Sequence, residues 1–282
     1  LKVAVIGSSG GMGKFFARYF LAQGNQVTGS DTRRSDIKHK GFNFVRSNVE
    51  AVKGADVILI ATPIEKTVEA AAEVAGALGR EATVVEISSV KGKVLRELKK
   101  ALRGRDVKVL SLHPLFGPSL KSYPDMKVCV IETEPRSMWL ARELLPEAKL
   151  VPMKEKEHDR TMGLILSLTH LLNIAYAGTV SRYLKPAQFR DVQTPTSAVQ
   201  LTLAEGVLSQ SPSLYSYIQL ENQFSSEFAR ALIDELTLLL GFIEKKDRDG
   251  FEQRFAYLSK AFTGDSKAAL ELVYQAFEKS PS

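Results

Sequence analysis

A glycine-rich turn near the start of the chain restricts the fold more than any other feature. Gly7-Ser8-Ser9-Gly10-Gly11-Met12-Gly13 separates a buried apolar run, Val3-Ala4-Val5-Ile6, from a helical pattern over Met12–Gln23. The apolar side of that helix carries Phe15, Phe16, Tyr19 and Phe20. An apolar run without polar alternation is what a strand covered on both faces requires. Glycine at a strand-to-helix turn bends the chain sharply and lets an anion approach bare backbone amides at the positive end of the helix. The spacing is Gly-x-x-Gly-x-x-Gly, one residue longer than the strict Gly-x-Gly-x-x-Gly. Strand, turn and helix in this order point to a site for a dinucleotide's pyrophosphate, lined by Gly7, Ser8, Ser9, Gly10, Gly11, Met12 and Gly13.

The alternation continues downstream. Strand-like runs at Gln26–Ser30, Val57–Ala61, Thr83–Ile87, Val107–Leu110, Lys127–Ile131 and Lys149–Val151 alternate with helical patterns. These are at Glu65–Leu78, through Leu95 and Leu98, and at Trp139–Leu145. Repeated strand–helix–strand units with short links specify an α/β fold with a doubly wound parallel sheet of the Rossmann type. Beyond Glu155 only helical periods occur: Glu157–Tyr183, Pro195–Val207, Leu214–Lys246 and two shorter segments, punctuated by Pro186, Pro195 and Pro212. The expected organisation is a dinucleotide-binding domain over residues 1–151 and an all-helical substrate and dimerisation domain over 152–282. The stripe Leu232, Leu236, Leu239, Leu240 and Ile243 is either internal core or a surface covered by a second copy; a homodimer is expected.

Composition narrows the function. The 282 residues suit two domains at roughly 150 residues each. With 44% hydrophobic and 25% charged residues the chain is neither a disordered tail nor a fibre. A single cysteine, Cys129, excludes an internal disulfide and a thiolate cluster, and with only four histidines no metal site is expected. The net charge of +6 is spread along the chain, so no nucleic-acid partner is expected. A local basic site would favour an anionic cofactor or a carboxylate substrate. No apolar run approaches the ~20 residues of a membrane span, and no leader precedes the strand at Lys2, so a cytoplasmic location is expected. The chain opens at Leu1 without an initiator methionine, as a piece of a longer polypeptide would.

Asp31 ends the second strand, where a carboxylate accepts the ribose hydroxyls of NAD and repels a 2′-phosphate. Thr32 and Arg33 follow, then Arg34, and arginines there could instead hold the phosphate of NADP. Thr62 and Pro63 close the central strand, where such a loop borders the nicotinamide. Two further segments lie at later strand ends: Glu86-Ile87-Ser88-Ser89-Val90-Lys91-Gly92 and Leu112-His113-Pro114-Leu115-Phe116-Gly117-Pro118. A histidine at this edge can take the proton from an alcohol as hydride leaves the same carbon. From spacing alone, His113 is either that base or a buried structural histidine. Glu157-His158-Asp159 and Ser167-Leu168-Thr169-His170 open the helical half.

Together these segments resemble the prephenate dehydrogenases of tyrosine biosynthesis over nearly the whole chain. The His-Pro-Leu-Phe-Gly-Pro run preceded by Ser-Ser-Val-Lys-Gly carries the resemblance, and the Glu-His-Asp…Leu-Thr-His helix completes it. The resemblance implies that His113 draws the proton from the ring hydroxyl of prephenate while hydride passes to the nicotinamide. The ring then loses carbon dioxide and becomes aromatic, giving 4-hydroxyphenylpyruvate. It implies that Ser89 bonds the same hydroxyl, that Ser88 borders the cofactor and that His170 lies near the pyruvyl side chain. His158 is expected to cap or orient its own helix. The family commonly grips a substrate carboxylate with an arginine of the helical domain, for which a bidentate guanidinium suits. In Phe189–Leu203 the candidates for that position are Gln200 and Thr194, with Arg190 and Arg182 nearby; Lys121 is a further source of charge. The expected substrate-binding set is His170, Gln200 and Arg190, and prephenate and arogenate both stay open. The competing readings are a two-domain hydroxyacid or imine reductase and a nucleotide-sensing regulator that kept the fold and lost the chemistry. Cys129, Trp139, Phe224, Phe228 and Tyr257 are expected to pack, and His39 to be solvated.

Overall fold

The computed structural model describes residues 1–183, 185–262 and 266–278. Eight strands form one sheet: β1 (Lys2–Ile6), β2 (Gln26–Ser30), β3 (Phe42–Val45), β4 (Val57–Ile60), β5 (Thr83–Glu86), β6 (Lys108–Pro114), β7 (Lys127–Ile131) and β8 (Lys149–Met153). Their order is β3-β2-β1-β4-β5-β6-β7-β8. The first six are parallel. The fold class expected from the strand–helix alternation is therefore present, with one departure: β7 runs antiparallel to β6, and β8 follows β7 in parallel. The link from β6 to β7 holds only a three-residue 3₁₀ turn, Tyr123–Asp125. A parallel return needs a crossover of about a dozen residues or more, usually a helix, so the chain doubles back.

Helices α1 (Gly11–Ala22), α2 (Asn48–Val52), α3 (Ile64–Val74), α4 (Gly92–Ala101) and α5 (Ser137–Leu144) cover the sheet. Side chains of successive strand residues point to opposite faces, and both faces are dry. Val3 and Val5 join Phe16, Tyr19, Phe20 and Leu112 on one side. Ala4 and Ile6 join Ile58, Ala71, Val74 and Leu98 on the other. Neither β3 nor α2 stands out in the sequence: β3 is a short, half-buried edge strand, and α2 is a single turn capped by the Ser47 hydroxyl. Cys129 is buried in the sheet as expected, whereas Trp139 is 55% exposed on a helix whose buried side is Leu140, Ala141 and Leu144.

The chain divides into two compact units, Leu1–Met162 and Gly163–Ser282. The first unit runs past the expected boundary at Val151-Pro152 because it keeps α6 (Glu155–Met162), whose Asp159 is bonded to the start of α4. The second unit opens with a π turn, Gly163–Ser167, leading into α7 (Leu168–Tyr183). It continues through α8 (Pro186–Asp191), α9 (Pro195–Leu208), α10 (Pro212–Glu221), α11 (Ser225–Lys245), α12 (Arg248–Ala261) and α13 (Ser266–Glu278). Within it α9 packs against α7 and α13, and α11 against α12. The single helix expected over Leu214–Lys246 is broken in two: the Asn222 side chain accepts the Phe224 N–H at 2.9 Å, a local bond with which asparagine competes against the helix. Phe224 and Phe228 pack against Gly163, and Tyr257 lies exposed beneath the Arg254 guanidinium. Along α11 Ser225 alone is buried. One stretch, Glu155–Tyr183, departs from the expectation of no span-like run: it has the length and hydropathy of one, mean hydropathy 1.4, with 17% of that window buried.

Candidate active site at the carboxyl edge of the sheet

The carboxyl ends of β1, β2, β4, β5 and β6 meet at one edge, and the strand order reverses between β1 and β4, where open α/β sheets bind ligands. Gly7 leaves β1 at φ +85°, and a Cβ on it would lie 2.6 Å from the Ala61 carbonyl oxygen. A Cβ on Gly13 would lie 2.0 Å from the Gly7 carbonyl oxygen. Only glycine allows this turn to close against β4 and against α1. The Gly7 and Ser8 amides donate to the Ser30 carbonyl at 2.8 and 3.0 Å, tying the turn to β2. Asp31 braces it from the other side: its carboxylate accepts the Ser9 and Arg33 amides, both at 3.0 Å, and the Thr32 hydroxyl. Among the described residues, the Ser8 and Thr62 hydroxyls are buried without a hydrogen-bond partner. The orphaned Thr62 hydroxyl beside a glycine cradle and a helix N-terminus fits the polar backbone of a dinucleotide, whereas the fully buried Ser8 side chain is turned away from the cradle, against Gly29 of β2. Pro63 precedes α3 as its cap residue, and Met12 and Ser9 are half-buried at the turn.

The loop after β6 rests on this turn. Pro118 is the nearest neighbour of Gly11, where a Cβ would lie 2.8 Å from its ring. Phe116 is anchored 5.1 Å from Phe15 of α1, centroid to centroid. His113, on the last turn of β6 toward this loop, is 5% exposed. Its Nδ1 lies 2.9 Å from His158 Nε2, and His158 Nδ1 lies 2.9 Å from Asp159 Oδ1. The Asp159 carboxylate also accepts the Lys91 and Gly92 amides, at 2.9 and 2.8 Å. Burial pushes the His113 imidazole well below its ordinary range, with His158 and Lys91 adding to the effect. Burial likewise lowers His158, against the opposing pull of Asp159.

Under this chain sits a second buried cluster. Lys91 Nζ has no exposed surface; it pairs with Glu86 Oε1 at 2.7 Å and donates to the Leu112 carbonyl at 2.6 Å. Glu86 also accepts the Ser111 hydroxyl, the Ser88 amide at 2.9 Å and the Ser88 hydroxyl at 2.5 Å. The side chain of Ser88 is thus committed to Glu86 beneath the edge, while Ser89 remains half-exposed. Nothing in the sequence alone gives Glu86, Lys91 or Asp159 a role, and His158 is expected only to cap or orient its own helix; its ring in fact reaches His113. The signal available was charge in the wrong place, a glutamate closing an apolar strand and a lysine five residues on.

The second unit holds its own polar group. His170 is stacked edge-on with Tyr215, ring centroids 4.5 Å apart, and its Nδ1 is buried without a partner among the described residues. Burial lowers its pKa. Gln200 donates to the Asn173 side chain at 3.0 Å, and Asn173 in turn to the Thr169 carbonyl at 2.8 Å. Arg190 pairs with Glu205 at 2.6 Å and lines a cavity of about 310 Å³ with Gln193, Thr202 and Ser209. Arg182 and Lys121 are exposed.

Residues 16–134 match the nucleotide-binding domain of prephenate dehydrogenase, and residues 154–257 match the dimerisation domain of the same enzyme. The chain belongs to the prephenate dehydrogenase family. It is 28% identical over 278 residues to the "Probable arogenate/prephenate dehydrogenase" of Methanocaldococcus jannaschii, covering 95% of this chain and 62% of that protein. It is 26% identical over 281 residues to the 4-amino-4-deoxyprephenate dehydrogenase of Streptomyces pristinaespiralis, covering 96% of this chain and 94% of that protein. The prephenate dehydrogenase of Aquifex aeolicus, solved with hydroxyphenyl propionate and NAD+, has the same fold: TM-score 0.73 at 18% identity, covering 92% of this chain and 96% of that one. The chain thus spans less than two thirds of the archaeal relative and nearly the whole of the Streptomyces one.

Proposed function

We propose that this chain is an NAD-dependent oxidoreductase that oxidises prephenate with loss of its ring carboxylate, the step that gives 4-hydroxyphenylpyruvate in tyrosine biosynthesis. The juxtaposition of His113 with the glycine cradle carries the reading: Pro118, in the loop that His113 opens, packs on Gly11. Bound in that cradle, the nicotinamide supplies a hydride acceptor. Gly7, Gly10, Gly11 and Gly13 admit the pyrophosphate, and Ser9, Met12, Thr62 and Pro63 line its approach, while Ser8 only ties the turn to β2. Asp31, with Thr32 and Arg33 beside it, faces the adenosine ribose and disfavours the 2′-phosphate of NADP. His113, kept neutral by burial, takes the proton of the ring hydroxyl. Ser89, just past the end of β5, orients that hydroxyl. His170 and Gln200, in the second unit, are the candidates that the family resemblance gives for the substrate's remaining polar groups.

Arogenate is the second reading, and one observation favours it. A relative 28% identical over 278 residues, that of Methanocaldococcus jannaschii, is named for both arogenate and prephenate. A panel of prephenate, arogenate and 4-amino-4-deoxyprephenate, each with NAD and with NADP, separates the readings by the reduced cofactor formed. His113→Asn is expected to lower kcat at least ~100-fold, in keeping with the usual contribution of a general base. Turnover of none of the three substrates overturns the proposal. The same reading makes the enzyme a cytoplasmic homodimer whose helical unit supplies the interface.

A further inference from the structure

The hydrogen-bond chain behind His113 has a direction, and that direction can be deduced. Asp159 accepts a backbone N–H on each carboxylate oxygen, from Lys91 and Gly92, so toward His158 Nδ1 at 2.9 Å it presents an acceptor. His158 must then carry its proton on Nδ1. A neutral imidazole has one N–H and one lone pair, and the lone pair of His158 therefore lies on Nε2. That atom faces His113 Nδ1 at 2.9 Å, which in turn must carry the proton. The lone pair of His113 is left on Nε2. The reverse arrangement would set the lone pair of His158 Nδ1 against a carboxylate.

We propose that Asp159 and His158 are positioning residues that fix His113 as the Nδ1–H tautomer and receive its displaced proton when Nε2 is protonated. The proposal rests on the oxidation assigned to the site above. In that reaction the substrate hydroxyl proton passes to His113 Nε2 while the carbon-bound hydride leaves to a nicotinamide dinucleotide and C–OH becomes C=O. The proton on His113 Nδ1 crosses to His158 Nε2. The imidazolium so formed keeps its Nδ1–H on Asp159, and the positive charge settles next to a fixed carboxylate instead of beside the substrate. A carboxylate that holds an imidazole in one tautomer is worth up to about 10⁴ in turnover in the serine proteases. The other charged or titratable groups around His113 are Lys91 and Glu86 below it and Cys129 opposite it on β7. Burial of both rings keeps the resting pair neutral, as the deduction requires.

The test needs no substrate in its first arm. Histidine side chains labelled with ¹⁵N and read by long-range ¹H–¹⁵N correlation at pH 8 should give both His113 and His158 as Nδ1–H tautomers. Asp159→Asn should turn His113 to a mixture of tautomers, lower kcat at least ~100-fold with KM within about threefold, and shift the acid limb of kcat. His158→Gln, which keeps an acceptor for His113 Nδ1–H but cannot pass a proton on, should retain the tautomer and still lose at least ~10-fold in kcat. A wild-type His113 found mainly as Nε2–H, or an Asp159→Asn enzyme with wild-type kcat, overturns the proposal. Because the tautomers are read on the protein alone, they stand or fall separately from the choice of substrate.

Discussion

Lys91 is an ammonium with no exposed surface, and its burial lowers its pKa against the pull of Glu86. A buried pair is held in place by the penalty of breaking it: removing one partner leaves the other charged and dry, at about 3–5 kcal/mol. Lys91→Met is expected to cost that much in urea unfolding, and Lys91→Met with Glu86→Gln to recover part of it, because the second change removes the stranded carboxylate. The histidines set a second dependence. In the folded chain His113 and His158 have pKa values below the 6.5 of an unfolded histidine, each chiefly through burial. Below about pH 6.5 the unfolded chain therefore binds more protons than the folded one. Stability should be level above pH 7 and fall as pH drops through 6.5, in urea midpoints taken from pH 8 to pH 5. His113→Asn and His158→Gln should each flatten that fall.

At the scale of elements, the turn between β1 and α1 is the most constrained. A Cβ at Gly13 would lie 2.0 Å from the Gly7 carbonyl oxygen, closer than any Cβ can sit, so Gly13→Ala must part α1 from the turn. The expected result is at least ~10-fold weaker NAD binding by calorimetric titration, with a lower Tm. Gly24→Ala, in a turn where a Cβ meets nothing but φ is +79°, should lower Tm and leave NAD affinity unchanged. The glycine turn was legible in the sequence because its chemistry is local: strand, glycines and helix adjoin. The succession of the longer strands along the chain and the position of His113 at a strand end were legible for the same reason. The reversal at β7 was not, because nothing in Lys127–Ile131 records its direction; only the lack of a crossover helix before it does. The break at Asn222 turns on one side-chain bond within an otherwise helical period. The His113–His158–Asp159 chain joins residues 45 positions apart, and no spacing rule announces such a contact. Burial converts Lys91 and Glu86 from ordinary surface types into the floor of the site, and burial is set by packing that a single sequence does not display.

At the scale of the molecule, the second unit exposes many large apolar side chains. In α11, Ile233, Leu236, Leu240 and Ile243 are each at least half exposed, and Ser225 is the helix's single buried residue. Of the stripe read from the sequence as core or interface, Leu236, Leu240 and Ile243 are exposed and Leu232 and Leu239 are half-buried, so none of it is core in the single chain. Exposed apolar side chains in one contiguous row mark a surface that meets a partner. In a homodimer the two-fold axis lets one such row serve both chains, and with residues 154–257 matching a dimerisation domain a second copy is the expected partner. Leu236→Asp with Leu240→Asp places two charges in that row without touching a buried residue. Multi-angle light scattering after gel filtration should read twice the chain mass for the wild type and one chain mass for the variant. Circular dichroism should keep the helical signal, since each substituted side chain is exposed in the single chain. A variant that stays dimeric with its helices intact would move the interface to another face of the unit, where α12 and α13 expose Phe255, Leu270 and Leu272.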